Sequence, residues 1–215
     1  MKIEGIIFDL DGTLVNSEPL HMEAWLGVLA KEGLQFDHDW FEQWIGKSDR
    51  FLAQSVVQEH QLPVAYQSLQ KAKAVAYHQL AAERAQFFPK VKEYILLLRK
   101  SMKLGIATNS SRKDAEAVFS RLPLPDYVST VVTADDVPNL KPAPDMYLLA
   151  AEKVNLPVKR GVAIEDSPAG LKAAKSAGLF TLAVTNSQAA DKLSAADMIF
   201  STTAEAIEWV IGENG

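Results

Sequence analysis

Six short apolar runs constrain this chain more than any other feature, because each is continuous rather than alternating. The first is Gly5-Ile6-Ile7-Phe8, and the others fall at 104–107, 127–132, 161–164, 180–184 and 197–200. A strand that is apolar at successive positions has both faces covered, which is the habit of a parallel sheet packed between helices. Segments with helical spacing lie between the runs, at 91–100, 112–122, 144–154, 169–178 and 203–211, and Gly178 stops one of them directly before the next strand. Strand and helix in alternation give an α/β fold: a doubly wound parallel sheet with a Rossmann-like core.

Residues 16–87 break the alternation. Asn16-Ser17-Glu18-Pro19 reads as a helix cap with proline in the first turn, and Lys31-Glu32-Gly33 as the end of that helix. Further helices fit 37–45, 50–60 and 65–84. The expected division is therefore a core of residues 1–15 and 88–215 with an all-helical insertion at 16–87. An insertion that leaves and returns at the mouth of an open α/β sheet, where ligands bind, reads as a lid.

Polar residues follow the apolar runs directly. Asp9-Leu10-Asp11-Gly12-Thr13 comes after the first, Thr108-Asn109-Ser110-Ser111 after the second, Lys141-Pro142 beyond the third and Glu165-Asp166 after the fourth. Two acids held close at a strand end raise each other's cost of ionisation unless a cation neutralises them. The pair therefore reads as a metal site containing a nucleophile. A turn-capping pair is the simpler alternative, but caps do not call for two further acids and a lysine at neighbouring strand ends. Thr108 reads as a helix cap whose neighbouring amides form an anion site. Thr13 is expected to bond backbone or a neighbouring carboxylate.

Composition limits the partners. Lys and Arg total 22 against 27 Asp and Glu, a net charge of −5, so there is no basic surplus for nucleic acid or for a membrane surface. The chain has no cysteine, which removes disulfides, thiolate metal sites and a cysteine nucleophile. Neither a signal peptide nor a membrane span is legible, so a cytoplasmic location is expected, as is a monomer or weak homo-oligomer.

The order and placement of these motifs resembles the haloacid dehalogenase superfamily, over the whole chain, with the insertion in the place of that family's helical cap. The resemblance implies phosphoryl transfer with Mg²⁺. Asp9 would be the nucleophile, Asp11 the general acid and base, and Thr108 and Lys141 the groups that stabilise the transferring phosphoryl. Asp9, the Asp11 carbonyl and Asp166 would hold the metal, with Glu165 supporting or ligating, and Asn109 and Ser110 would bind phosphate oxygens through their amides. The insertion resembles the β-phosphoglucomutase-like branch. There His21 would handle a sugar hydroxyl, Gly46-Lys47-Ser48-Asp49-Arg50 would form a specificity loop, and Lys73 would reach towards phosphate; a solvated face is the alternative for Lys47, Arg50 and Lys73. His38, His60 and His78 get no role.

The implied substrate is a small phosphorylated metabolite, and a sugar phosphate fits best. A phosphatase leads and a β-phosphoglucomutase-type mutase follows. The mutases tend to carry a hydrophobic residue at the place of Thr13 and an arginine directly after the loop serine, where this chain has Asp49. A non-catalytic phospholigand-binding protein is the third reading.

Overall fold

The computed structural model describes residues 2–45 and 47–214. Gly46 of the expected specificity loop lies outside the described residues. Among the described residues, strands β1 (Gly5–Phe8), β2 (Lys103–Ala107), β3 (Thr130–Val132), β4 (Gly161–Glu165), β5 (Phe180–Val184) and β6 (Met198–Phe200) form one sheet. Their spatial order is β3-β2-β1-β4-β5-β6, all parallel. The strand order reverses between β1 and β4, and ligands of open α/β sheets bind at the carboxyl ends of such a switch point.

Both faces of β1 are covered, which is why its sequence does not alternate. Ile6 and Phe8 pack in one cluster with Val91 and Ile95 of α5 (Val91–Leu98), Val118 of α6 (Arg112–Phe119) and Ile207 of α9 (Thr203–Glu213). Ile7 points the other way, into a cluster with Met146 and Ala150 of α7 (Asp145–Lys153) and Ala173 of α8 (Pro168–Ser176). The two-residue side-chain period divides the run between two layers of helix.

The insertion contains α1 (Glu18–Lys31), α2 (His38–Glu42), α3 (Asp49–Glu59) and α4 (Tyr66–Arg84). It has an apolar centre of its own, with Trp25, Leu29, Phe41, Leu52, Val56 and Leu69 buried together. The chain leaves and returns by adjacent paths: Asn16 N donates to Gln86 O at 3.0 Å, and Phe88 N donates to Leu14 O at 3.1 Å. No helix among the described residues is long and apolar enough to cross a membrane.

Three local expectations are corrected. The strand expected at 127–132 begins only at Thr130, because a 3₁₀ turn at Leu124–Asp126 leads into it and β3 is an edge strand with one neighbour. Ser17 stands at the start of α1 but makes no capping bond; its hydroxyl donates to Asp11 instead. Thr108 does not cap α6 either, since Ser111 does so by accepting from Asp114 N at 3.2 Å.

At the far edge, Asp197 staples β6 to β5. Its Oδ2 accepts from Thr181 N at 2.8 Å and Thr181 Oγ1 at 2.7 Å, while Lys175 Nζ reaches Oδ1 at 3.0 Å. Partial burial raises this carboxyl, but the Thr181 and Lys175 bonds outweigh it and hold the group below the usual carboxylate value. A depressed folded-state value means the stabilisation is complete above the unfolded value, about 4, and is lost as the pH falls through the folded one. Asp197→Asn is therefore expected to lower the urea midpoint at neutral pH, and its deficit against the wild type should narrow as the pH falls from about 5 towards 3.

Candidate active site

The carboxyl ends of β1, β2 and β4 deliver the polar residues to one place. Asp9 follows β1 directly, and its own amide still bonds Ile164 O of β4 at 3.0 Å, so the nucleophile candidate sits on the last rigid position of the strand. Lys141 Nζ lies 2.5 Å from Asp9 Oδ1 and 2.5 Å from Glu165 Oε1. All three side chains are almost wholly buried.

Glu165 has little capacity left. Its Oε1 also accepts from Tyr147 OH at 2.9 Å, and its Oε2 accepts from the Asp166 and Ser167 amides at 3.1 Å and from Ser167 Oγ at 2.9 Å. It acts here as an anchor for Lys141 rather than as a free ligand. Asp166 Oδ1 accepts from Thr13 Oγ1 at 3.2 Å, as anticipated for Thr13, and its Oδ2 accepts from Ser187 Oγ.

The charges do not balance. Asp9, Glu165 and Asp166 are three buried acids, and the buried cation paired with this cluster is Lys141. Burial, with Glu165 beside it, pushes Asp166 up to about 7. Asp9 is raised well above the usual carboxylate value, first by burial and then by its acidic neighbours, although Lys141 opposes this. Lys141 itself is raised: burial would lower it, but Asp9 and Glu165 prevail. Such a cluster lacks positive charge, and its donors are all oxygen. Both properties fit a hard divalent cation such as Mg²⁺.

Asp11 faces a different set of partners. Its Oδ1 accepts from Ser17 Oγ at 2.6 Å and its Oδ2 from Ser110 Oγ at 2.5 Å, with longer contacts of 3.5 Å to Tyr77 OH and Thr108 Oγ1. Ser17 and Tyr77 come from the insertion, so the insertion closes directly onto the second acid. Gly12, directly after Asp11, has φ +79°, and a Cβ there would stand 2.1 Å from Asp166 Oδ2. No other residue leaves room for that carboxylate.

The loop after β2 makes bonds within the protein. Asn109 accepts Lys141 N on its Oδ1 at 3.0 Å and so moors the lysine loop. The Ser110 amide, expected to face phosphate, donates to Thr108 Oγ1 at 3.0 Å. In the insertion, Lys73 Nζ contacts His21 Nδ1 and Asp49 Oδ2, both at 2.7 Å, and the His21 ring stacks on Tyr77 with centroids 4.0 Å apart. An ammonium only donates, so His21 Nδ1 accepts and the ring proton of neutral His21 sits on Nε2. Burial and the Lys73 charge depress His21 to about 4, which agrees. The structure does not bring Lys47 or Arg50 to the carboxylates. Lys47 lies over the Trp44 and Phe51 rings, and Arg50 lies over Tyr66.

Several participants were not read from sequence. Ser187 follows β5, so the same strand-end reasoning carried one strand further finds it. Tyr147, on α7, offers no such signal. His38, Asp39 and Glu42 also bring one ligand atom each within 4.8 Å, but all three are exposed on the short helix α2. A cavity of about 750 Å³ bounded by Ile3, Leu98, Met102 and Ile211 opens at the other end of the sheet, away from this chemistry.

The sequence profile of the haloacid dehalogenase-like hydrolases matches residues 6–184. The chain belongs to that family. It is 32% identical over 178 residues to the fructose-1-phosphate phosphatase YqaB of Escherichia coli K12, covering 83% of this chain and 94% of that one. A Thermotoga maritima crystal structure described as a β-phosphoglucomutase superposes with TM-score 0.84 at 30% identity, covering 98% and 99% of the two chains. A CbbY variant from Rhodobacter sphaeroides, crystallised with xylulose 1,5-bisphosphate, gives TM-score 0.80 at 28% identity, with 94% and 96% covered.

Within this haloacid dehalogenase-like site, Glu165 depends on space left by Gly170, where a Cβ would lie 1.7 Å from Oε1. Gly170→Ala is expected to displace the glutamate, release Lys141 and cost about 2 kcal/mol or more in urea unfolding. Gly212→Ala is the control: no atom lies within 4 Å of its Cβ, so the better helix former should be neutral or stabilising by up to about 1 kcal/mol.

Proposed function

We propose that this hydrolase is a Mg²⁺-dependent phosphatase of small phosphorylated metabolites, sugar phosphates foremost, working through an aspartyl phosphate on Asp9. The observation that carries the reading is the buried Lys141 ammonium shared between Asp9 and Glu165. It offers positive charge where an anionic phosphoryl group must approach a carboxylate. The similarity to a fructose-1-phosphate phosphatase supports the substrate class.

In the first half-reaction an Asp9 carboxylate oxygen forms a bond to phosphorus while the ester oxygen leaves with a proton from Asp11. In the second, Asp11 takes a proton from water, the water oxygen attacks phosphorus, and phosphate leaves as Asp9 is regenerated. The hydroxyls of Ser17 and Ser110 hold Asp11 in place for both transfers. Thr108 and Lys141 orient and neutralise the phosphoryl oxygens. The Asp9 and Asp166 carboxylates and the Asp11 main-chain carbonyl are the groups that would hold Mg²⁺, with Glu165 behind them. When bound, the ion supplies the positive charge that lets two anions meet.

Residues 16–87 serve as the lid in this reading, and His21 Nε2–H is its donor for a substrate hydroxyl. A hexose-phosphate mutase is the second reading, favoured by the Thermotoga structural likeness. The two differ in whether water or a sugar hydroxyl receives the phosphoryl group.

A panel of hexose, pentose and triose phosphates separates the readings. Phosphate release should be fast and should stop on exhaustive chelation, returning with added Mg²⁺. Rapid isomerisation of β-glucose 1-phosphate with slow phosphate release would select the mutase. Asp9→Asn should lower kcat by about 10³-fold or more on every substrate; turnover surviving in a clean preparation removes Asp9 as nucleophile.

A further inference from the structure

The insertion offers the substrate less positive charge than its sequence suggests. Lys73 is almost wholly buried, and its donors are spent within the insertion: one on Asp49, one on His21, with the Tyr77 ring centroid 5.0 Å from Nζ. Asp49 is fixed from two sides. Its Oδ1 accepts the Trp25 indole N–H at 2.8 Å while its Oδ2 holds Lys73, and it occupies the first turn of α3, where the helix dipole favours an acid. His21 is neutral. Glu18 shares this surface, feels Asp11, Lys73 and Asp49, and is raised by burial to about 7. Summed, Lys73 and Asp49 cancel, His21 adds nothing, and Glu18 contributes at most a negative charge.

We propose that Asp49 is a specificity-determining residue: by neutralising Lys73 it makes the insertion face that meets Asp11 a neutral, hydroxyl-reading surface, so that the enzyme selects monophosphates and rejects bisphosphates of the same sugar. The proposal rests on the phosphatase reading and names its substrate class. A second phosphate placed against this face meets Asp49 and Glu18 while its buried cation, Lys73, is already paired and the neighbouring Lys47 and Arg50 lie over aromatic rings; like-charge juxtaposition is a strong source of discrimination. Hydroxyls meet a better surface, with His21 Nε2–H as donor and the Asp49 and Glu18 oxygens as acceptors. Removing the Asp49 charge reverses the balance, because Lys73 then becomes a buried unpaired cation, and an anion is what such a cation lacks.

The test compares fructose 1-phosphate with fructose 1,6-bisphosphate and glucose 1-phosphate with glucose 1,6-bisphosphate. Wild type and Asp49→Asn are assayed for kcat/KM, and Kd is measured by calorimetry for each pair in an Asp9→Asn background. The wild type should favour each monophosphate by about tenfold or more, and Asp49→Asn should raise the bisphosphate-to-monophosphate ratio by about tenfold. The change should fall on KM and Kd rather than kcat, and should shrink with added salt. The double variant Asp49→Asn/Lys73→Met should lose the gain. A wild type that prefers bisphosphates, a ratio unmoved within about twofold in both rates and Kd, or a gain that survives removal of Lys73 would each overturn the proposal. Asp49→Ser, which keeps an acceptor for Trp25, replaces Asp49→Asn if thermal melting shows the latter to be unfolded. Absence of hydrolysis across the whole panel defeats the phosphatase reading instead, and the calorimetric ratio then decides the Asp49 proposal by itself.

Discussion

The contact on which the rest depends is Lys141 held between Asp9 and Glu165. Burying a lysine and two acids is costly, and a buried ion pair returns that cost only with good geometry and a full set of further bonds. The fold provides them from separate elements. Tyr147 of α7 and the start of α8 complete Glu165, Asn109 after β2 moors the lysine loop, and Gly170 leaves the space that Glu165 fills. Removing one member of such a set leaves an uncompensated buried charge, a loss of about 3–5 kcal/mol. The sheet order matters because it sets β1 and β4 side by side, which places Asp9 within one ammonium of Glu165.

The same parallel register explains why the core of the site was legible in sequence. Each strand ends at the same edge, so the first polar residues after each apolar run must converge, and Asp9, Thr108 and Glu165-Asp166 all follow this rule. Both covered faces of β1 were equally visible, since Ile6, Ile7 and Phe8 leave no position for water. Ser17 was misread because a serine before a helix has two uses, and the short bond to Asp11 won over the cap. The start of β3 was misread because 127–129 has strand-like residues but, at the sheet edge, lacks the neighbours that would hold them extended.

The insertion was legible as helices and illegible as a site. Its helical periodicity is local, whereas the partners of Lys73 come from α1 and α3, at 52 and 24 residues' separation. No spacing rule links them. A charged residue on a helix is usually solvated, so Lys73 reads in sequence as surface or as a group reaching towards phosphate, and Asp49 as part of the specificity loop; only packing shows that one neutralises the other. Lys47 and Arg50 read in sequence as part of a specificity loop or as a solvated face, and in the structure they lie over aromatic rings.

The two sides of the site therefore carry different electrostatic duties. The strand ends hold an excess of buried acids over cations, and burial together with the neighbouring acids raises Asp9 and Asp166. The insertion side is already balanced, by Asp49 against Lys73. In the proposed reaction a phosphoryl group is drawn to the first side, where the Lys141 ammonium is placed for it. In that reading the remainder of the substrate meets the second side, where Lys73 is already paired with Asp49. Asp11 is where the two meet, bonded by Ser110 from the core and Ser17 from the insertion. Under the proposed mechanism, in which Asp11 moves protons, chemistry and the seating of the insertion would be coupled through this one carboxylate, with Asp49 and Lys73 one layer further out.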